Sequence, residues 1–386
     1  MTLSSNWNYP TAVRFGAGRI AELAKVCGAA GMGKPLLVTD PGLAGLPMIA
    51  DGLAALNEAG LQAAVFSDIQ PNPVASNVEA GVQVLRSGGH DGVIAWGGGS
   101  AMDAGKAIAF AAGQTRPLWD FEDIGDNWTR ADESAILPIV AVPTTSGTGS
   151  EVGRASVITN EETHTKKIIF HPKMMPATVI CDPKLVAGLP ANLTAWTGMD
   201  ALAHCLEAYC APGYHPMADG IAVEGLRLIK DWLPKAVSDG ADLEARAHMM
   251  SAAAMGATAF QKGLGAIHSL SHPVGAIYNA HHGLTNAVFT PYVLINNRAA
   301  IAERLERLAR FLGFSGDGFE AVLNWTLDLR QTFEIPHTPQ SLGVEEARLE
   351  ELAAMAAEDP TAGGNPVPAG KAEMLAMYEA AMAGRL

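Results

Sequence analysis

Several histidines and one aspartate are the side chains best suited to hold a metal ion. Four of the 11 histidines lie within fifteen residues, at His268, His272, His281 and His282. A separate pair, Asp200 and His204, lies in a stretch with helical spacing. Residues four apart share one face of a helix. Taken alone, an Asp-x-x-x-His pair is more often an exposed side-chain contact than a metal site.

The chemistry of this set indicates a class of ion. Three neutral imidazoles and one carboxylate suit Fe(II), Zn(II) or another first-row divalent cation. A single carboxylate leaves the centre net positive, as a Lewis acid with an open position for a substrate oxygen requires. Pro273, which follows His272 directly, predicts an irregular segment here rather than a continuous helix.

Two loops rich in glycine and hydroxyl groups could bind a nucleotide. Gly97-Gly-Gly-Ser100 follows an apolar run and precedes a helical stretch, where free backbone N–H groups favour a phosphate. Thr144-Thr-Ser-Gly-Thr-Gly-Ser150 follows another apolar run and offers hydroxyls to phosphate, ribose or amide groups. Each loop alone also fits an ordinary strand–helix turn. Together, at the ends of neighbouring strands, they favour a nucleotide site.

Two familiar phosphate-binding fingerprints are not matched by the first loop. The third glycine of G-x-G-x-x-G would fall on Met102. For a P-loop, five residues rather than four separate Gly99 from Gly105, and Ala107 stands where Ser or Thr is required. Asp40 ends an earlier apolar run, and a carboxylate there would bind ribose hydroxyls and repel a 2′-phosphate. The sequence therefore favours NAD over NADP and does not support Walker-type ATP hydrolysis.

Composition narrows the class of protein. The chain has 386 residues, of which 48% are hydrophobic, and a formal net charge of -14, which disfavours nucleic acid as a partner. The polar N-terminus, Met1–Asn8, lacks a signal-peptide pattern, and no apolar run reaches the length of a membrane span. Four cysteines without a C-x-x-C pair predict buried thiols in a reducing compartment. We expect a cytoplasmic protein.

The elements that must position these side chains change in type along the chain. Up to about residue 188, short apolar runs (36–39, 63–66, 92–96, 136–142 and 177–180) alternate with helical stretches such as 45–59, 76–87 and 101–112. That alternation is typical of a parallel sheet covered on both faces. Beyond it the spacing is helical throughout, as in 194–209, 216–232, 243–261, 298–312 and 316–332. We predict an α/β, Rossmann-like dinucleotide-binding domain over 1–188 and an all-α metal- and substrate-binding domain over 189–386.

Taken together, these segments resemble the iron-activated, or group III, metal-dependent alcohol dehydrogenases. The resemblance spans nearly the whole chain, in order. It rests on Phe15-Gly-Ala-Gly, Asp40, Pro71-Asn-Pro73, Gly97-Gly-Gly-Ser-Ala-Met-Asp-Ala-Gly-Lys106, Pro143-Thr-Thr-Ser-Gly-Thr-Gly-Ser-Glu151, Gly198-Met-Asp-Ala-Leu-Ala-His204, His268-Ser-Leu-Ser-His-Pro-Val-Gly-Ala276, His282-Gly-Leu-Thr-Asn286 and the tail from Asp359-Pro to Asn365-Pro366.

The resemblance implies a role for each matching position. The metal ligands would be Asp200, His204, His268 and His282. His272 would lie beside the metal, near substrate and nicotinamide, and is the candidate for orienting the substrate or relaying its proton, together with the ligand His268. The alternative for His272 is a purely supporting histidine. The cofactor-binding residues would be Asp40 at the adenosine ribose and Gly98, Gly99, Ser100 and Asp103 at the pyrophosphate. Thr144, Thr145 and Thr148 would hold the nicotinamide half, with Lys166, or its neighbour Lys167, near the ribose. Asn72 would also bind the cofactor.

The predicted function is an NAD(H)-linked alcohol dehydrogenase or aldehyde reductase that uses Fe(II), Zn(II) or another divalent metal. Apolar side chains such as Phe260, Ile267 and Tyr278 favour a small or medium alcohol as substrate. A homo-oligomer, a dimer or larger, is implied by the family. Three alternatives stay open: a hydroxyacid-oxoacid transhydrogenase, a metal-dependent lyase similar to dehydroquinate synthase, and a non-catalytic scaffold.

Overall fold

The structure, a computed structural model, describes residues 11–386, so the polar stretch Met1–Asn8 of the sequence analysis lies outside it. The described residues form two compact units, one ending at Leu189 and the other beginning at Pro190. In the described part of the chain, no helix is both long and apolar enough to cross a membrane.

A six-stranded, fully parallel sheet forms the centre of the first unit. Its strands, in spatial order, are β1 (Ala12–Phe15), β8 (Thr178–Cys181), β5 (Ile139–Pro143), β4 (Gly92–Gly97), β2 (Pro35–Val38) and β3 (Ala64–Phe66). The central strands are buried along their whole length, as expected when helices cover both faces of a parallel sheet. The predicted parallel sheet is confirmed.

The helices of this unit are α1 (Leu23–Ala29), α2 (Pro41–Ala44), α3 (Pro47–Glu58), α4 (Ala75–Gly88) and α5 (Gly99–Ala111). Because β2, β4 and β5 are neighbours, the loops that follow them leave the same edge of the sheet. Strand β1 was not predicted, nor was the antiparallel hairpin formed by β6 (Ala155–Asn160) and β7 (Thr165–Phe170). Strand β5 begins at Ile139, three residues later than the predicted start at Ile136.

The second unit is all-helical, as predicted. Its helices are α6 (Ala191–Cys210), α7 (Pro216–Ser238), α8 (Leu243–Ala259), α9 (Ala266–Tyr278), α10 (His282–Phe311), α11 (Gly318–Thr332), α12 (Leu349–Glu358) and α13 (Lys371–Ala383). Helix α6 is buried along nearly its whole length, so it is the central helix of this unit.

Two glycines allow neighbouring helices to approach α6 closely. A Cβ on Gly256 of α8 would lie 3.0 Å from the Cβ of His204. A Cβ on Gly283 of α10 would lie 2.2 Å from the carbonyl oxygen of Trp196 and 3.1 Å from the Cβ of Asp200. The 2.2 Å distance to the Trp196 carbonyl oxygen is far below van der Waals separation, so α10 can pack this closely on α6 only with glycine at position 283.

One expectation about local structure is wrong. Pro273 does not mark an irregular segment, because it lies inside α9, which is continuous from Ala266 to Tyr278. A proline inside a helix removes one backbone hydrogen bond, and the surrounding packing must compensate. The residues around it are buried, from Ala266 through Gly275, so tertiary packing holds the helix together here.

Candidate functional site

Helix α6 presents three polar side chains on one face of a buried helix. Asp200, His204 and Glu207 are at positions i, i+4 and i+7, and each is less than one tenth exposed. Polar side chains buried this deeply require partners. Those partners come from α9 and α10, which carry the clustered histidines.

The oxygen Oδ1 of Asp200 lies at the centre of the histidine cluster. The Nε2 atoms of His204, His268 and His282 are 3.7, 3.9 and 3.6 Å from it. The ligand atoms of Asp200, His204 and His268 all lie within 4.8 Å of one another. His282 approaches the same carboxylate oxygen from the first turn of α10. All four side chains assigned as ligands by resemblance are thus brought together.

Glu207 orients His268 and, together with Asp200, favours a positive charge beside these carboxylates. Its Oε2 accepts from Nδ1 of His268 at 2.5 Å, and its Oε1 accepts from the backbone N–H of Ile267 at 2.7 Å. With the proton on Nδ1, the lone pair of Nε2 faces Asp200. Burial lowers the pKa of His268, but the charges of Glu207 and Asp200 outweigh burial, so the pKa is raised. The surrounding carboxylates therefore favour positive charge at this place.

Asn286 lies one turn beyond His282 on α10 and is fully buried. Its Nδ2 donates to Asp200 Oδ1 at 2.8 Å and lies 3.1 Å from Nε2 of His282 and 3.2 Å from Nε2 of His268. An amide nitrogen carries only two hydrogens for these three acceptors. The charged acceptor, Asp200, is the strongest of the three, so Asn286 holds that carboxylate in place.

His272 lies beside the cluster and has its own carboxylate. Its ring centre is 5.3 Å from that of His282 and 5.9 Å from that of His268. Its Nδ1 lies 2.8 Å from Oδ2 of Asp359. Burial would raise the pKa of Asp359, but the His272 imidazole and hydrogen bonds from Thr361 outweigh it, so the pKa is lowered. An ionised Asp359 keeps the proton of His272 on Nδ1 and leaves Nε2 as a proton acceptor.

The distances from Asp200 to the three histidines suit ligands of one divalent cation. Zinc–nitrogen and zinc–oxygen bonds are about 2.0–2.2 Å, so two ligands of one ion lie up to about 4.2 Å apart. The separations of 3.6 to 3.9 Å from Asp200 Oδ1 to the three Nε2 atoms are within that limit. Two of the apolar side chains that favoured a small or medium alcohol differ in position. The ring of Phe260 covers His204, with ring centroids 5.1 Å apart. Ile267 is 1% exposed and belongs to the hydrophobic core.

In the first unit, the two loops predicted to bind a nucleotide pack directly on each other. The backbone N–H of Thr144 donates to the carbonyl of Gly97 at 3.0 Å. A Cβ on Gly98 would lie 3.1 Å from Thr145, and one on Gly99 would lie 2.7 Å from Thr148. The absence of a Cβ at these two positions therefore leaves room for the second loop to pack against the start of α5.

The remaining predicted cofactor residues surround these loops. Ser100 Oγ donates to the carbonyl of Pro71 at 2.5 Å, so the loop that carries Asn72 adjoins the first glycine loop. Asp40 caps α2 by accepting from the N–H of Leu43 at 3.1 Å, and its Oδ2 would be 3.4 Å from a Cβ on Gly97.

Two predicted cofactor residues have partners in the hairpin region. Both carboxylate oxygens of Asp103 accept from the protein, Oδ1 from Ser150 Oγ and Oδ2 from the N–H of Val157. Lys167 pairs with Glu122 at 2.6 Å, and Lys166 points to the other face of β7. Their roles toward the cofactor stay predictions.

Sequence reasoning missed three side chains that orient the candidate ligands: Glu207, Asn286 and Asp359. Two of them carried a usable signal. Glu207 is seven residues after Asp200 and Asn286 is four residues after His282, so each shares a helix face with a ligand. Asp359 belongs to the tail that resembles the family, but nothing in the spacing connects it with His272.

Comparison with known proteins agrees with the fold. Residues 10–183 match the family model for iron-containing alcohol dehydrogenase, and residues 194–382 match the model for the C-terminal part of that family. A 4-hydroxybutyrate dehydrogenase of Cupriavidus necator is 39% identical, covering 97% of this chain and 99% of the relative. An NAD-dependent methanol dehydrogenase of Bacillus methanolicus is 36% identical, covering 94% and 96%.

Solved structures give the same result. A crystal structure of 1,3-propanediol oxidoreductase superposes with a TM-score of 0.92 at 36% identity, covering 98% of this chain and 100% of that one. An NADH-dependent butanol dehydrogenase A of Thermotoga maritima has a TM-score of 0.88 at 25% identity, with 98% of both chains covered. These matches confirm the resemblance drawn from the sequence motifs, and the chain belongs to the iron-containing alcohol dehydrogenase family.

Proposed function

We propose that this protein is a metal-dependent, NAD(H)-linked alcohol dehydrogenase or aldehyde reductase that acts on a small or medium alcohol. The observation that carries the proposal is the convergence of three imidazole Nε2 atoms on one carboxylate oxygen, at 3.6 to 3.9 Å. Relatives named as methanol, 1,3-propanediol and 4-hydroxybutyrate dehydrogenases support the reaction type. Because those substrates differ in length and charge, they leave the choice of alcohol to experiment.

The residues that would hold the ion are Asp200, His204, His268 and His282. Fe(II), Zn(II) and other first-row divalent ions all suit this donor set. When bound, the ion acts as a Lewis acid on the alcohol oxygen, and NAD accepts the carbinol hydride. Glu207 and Asn286 keep His268 and Asp200 in place for that role.

His272 is proposed to move the remaining proton. Loss of a hydride and a proton turns an alcohol into an aldehyde or ketone, so the hydroxyl proton needs an acceptor. Asp359 holds the other ring nitrogen of His272, which leaves Nε2 free of a proton and able to take one. In the reverse direction the same nitrogen returns the proton to the carbonyl oxygen.

Asp359→Asn is expected to lower kcat by about 10²–10³-fold while KM and metal content change little. An amide can donate to Nδ1, which would place the proton on Nε2 and remove the acceptor. Steady-state kinetics and metal analysis on the same preparation check this expectation. Glu358→Gln, a change at the exposed neighbouring residue, serves as the control. Normal kcat in Asp359→Asn would remove His272 from proton transfer.

NAD is assigned to the two loops of the first unit. Gly98, Gly99, Ser100 and Asp103 are proposed to line the pyrophosphate, where the start of α5 offers free backbone N–H groups. Thr144, Thr145, Thr148 and Lys166 are assigned to the nicotinamide half and its ribose. Asn72 and Asp40 complete the set, with Asp40 at the adenosine ribose.

Asp40→Asn is expected to raise the ratio of NADP to NAD in kcat/KM by at least about tenfold. The change removes the charge that would repel a 2′-phosphate. Asparagine is also a good helix cap, so α2 should keep its start. Asp132→Asn, at a cap elsewhere in the same unit, is the matched control. An unchanged coenzyme ratio would show that Asp40 serves only as a cap.

The decisive test of the proposed function uses protein stripped of metal by a chelator and reloaded with Fe(II) or Zn(II). A panel of primary alcohols, diols and aldehydes is assayed with NAD(H) at 340 nm. We expect metal-dependent turnover of free coenzyme. Turnover that proceeds without free NAD would indicate a transhydrogenase, and the absence of coenzyme turnover with any substrate would overturn the proposal.

Three further assignments accompany the function. We propose that residues 1–188 bind the dinucleotide and that residues 189–386 bind metal and substrate.

A cytoplasmic location is supported by four buried free cysteines. Burial raises the pKa of Cys27, Cys205 and Cys210 to about 12. A homo-oligomer is supported by the edge strand β1, which exposes Val13 and Phe15. Light scattering after size exclusion measures the oligomeric state.

A further inference from the structure

Two buried ionisable groups, Lys106 and Glu151, and one partly buried carboxylate, Asp103, lie next to the two nucleotide loops. Asp103 and Lys106 are one turn apart on α5, and Glu151 follows the hydroxyl-rich loop. Lys106 is 1% exposed and Glu151 is 3% exposed. Charged groups are rarely buried so completely without a specific arrangement of partners.

Asp103 and Lys106 fix the end of the second loop from both sides. Asp103 accepts from Ser150 Oγ at 2.5 Å and from the N–H of Val157 at 2.9 Å. Lys106 Nζ donates to the carbonyl of Ser150 at 3.0 Å and to the carbonyl of Ala155. The segment from Ser150 to Val157 is therefore held on α5, the helix that begins within the first glycine loop.

The charges of the three groups do not balance when all are ionised. Nζ of Lys106 also lies 3.5 Å from Oδ1 of Asp103, so its three N–H bonds are directed at two carbonyls and this carboxylate. No N–H of Lys106 is left for Glu151. One ammonium and one carboxylate already neutralise each other, and a second buried carboxylate would add an uncompensated charge.

Burial accordingly raises the pKa of Glu151 to about 7, an effect that its own backbone N–H and the charge of Lys106 only partly offset. Burial also lowers the pKa of Lys106, which the charge of Asp103 opposes. Cys181 at the end of β8 also lies close to Glu151, and burial and the charge of Glu151 raise the pKa of its thiol.

We propose that Asp103 and Lys106 position the end of the second nucleotide loop for NAD, and that the buried Glu151 beside them must be protonated for full NAD affinity. The inference rests on the proposed NAD site and adds residues and a proton to it. Ionised Glu151 leaves a net negative charge directly after the second loop, and the pyrophosphate proposed to lie at the adjoining first loop is itself negatively charged. NAD binding therefore favours the protonated form and raises the pKa of Glu151 further.

The sign of the pH dependence follows. The affinity for NAD is full while Glu151 is protonated in both the free and the bound protein. It falls as the pH rises above about 7, the pKa of the free protein, and levels off above the higher pKa of the complex. A one-unit difference between the two pKa values corresponds to about a tenfold change in Kd.

The experiment measures the Kd of NADH by fluorescence titration between pH 6 and pH 9 on the full-length protein. For the wild type, we expect Kd to rise about tenfold across this range. For Glu151→Gln, which is neutral at every pH, we expect the low-pH Kd throughout. A flat wild-type profile, or a slope that persists in Glu151→Gln, would overturn the proton requirement.

A second pair of variants tests the positioning role. Ser150→Ala removes the hydroxyl that donates to Asp103, and we expect Kd for NADH to rise by about 3–10-fold. Ser134→Ala is the matched control, because Ser134 Oγ donates to Asp132 at 2.6 Å at an exposed site of the same unit. Equal Kd values for both variants would overturn the positioning role. If the wild type bound no NADH, both the proposed function and this inference would fail. If the wild type bound NADH but its Kd did not change with pH, or if Ser150→Ala and Ser134→Ala had equal Kd values, only the inference would fail.

Discussion

His268→Ala is expected to abolish stoichiometric metal binding and to lower kcat/KM by at least about 10³-fold. His268 is 1% exposed, is oriented by Glu207, and places Nε2 3.9 Å from Asp200 Oδ1. Its removal takes away one imidazole and leaves Glu207 as a buried carboxylate without its partner, which further disturbs α6. Metal content is measured by elemental analysis and turnover with NAD(H).

The control for this variant is His248→Ala. His248 stacks on Trp232 in the same helical unit and takes no part in the cluster. We expect it to retain metal and activity. The interpretation of the four ligands would be wrong if the His268→Ala protein were fully active without metal.

Gly283→Ala is expected to have the second large effect, through packing rather than chemistry. The added Cβ would lie 2.2 Å from the Trp196 carbonyl oxygen, and backbone cannot move aside as a flexible side chain can. Helix α10 must shift away from α6, which carries His282 away from Asp200. We expect the free energy of unfolding to fall by about 2–4 kcal/mol and metal affinity to fall by at least tenfold.

Gly220→Ala is the matched control for this helix–helix contact. Gly220 lies within α7, and a Cβ there would meet no atom within 4 Å. Replacing a helical glycine by alanine at such a place should stabilise the protein by about 0.5–1 kcal/mol. Chemical denaturation and competition with a metal chelator measure both variants. Similar stabilities for the two proteins would show that α10 can adjust without moving His282.

Much of the architecture could be predicted from the sequence because it follows from local patterns. The buried strands β2, β4 and β5 are short apolar runs that end in loop-forming residues, and the helical unit has helical spacing throughout. The β6–β7 hairpin was missed because β7 begins with the polar Thr165-Lys-Lys and only Ile169 of this strand is buried. The continuity of α9 through Pro273 could not be predicted, because it depends on tertiary packing rather than on local propensity.

For the candidate site, the sequence predicted the metal ligands but not the side chains that orient them. Asp200, His204, His268 and His282 were named from helical spacing and resemblance, and their role as ligands stays a prediction until metal is measured. Glu207, Asn286 and Asp359 were not predicted as site residues, because the main partner of each lies on another segment. A sequence indicates which residues share one helix face, but which faces meet is decided by packing such as that of Gly283 on Trp196.

The candidate ligands are carried by three helices, α6, α9 and α10, of a single unit. An unfolded chain cannot hold these groups around one ion, so binding and folding of that unit are thermodynamically linked. Free ion at 100 times its dissociation constant would add about 2.7 kcal/mol to the stability of the folded state. Scarcity of the metal in a cell would therefore lower not only turnover but also the lifetime of the protein against proteolysis.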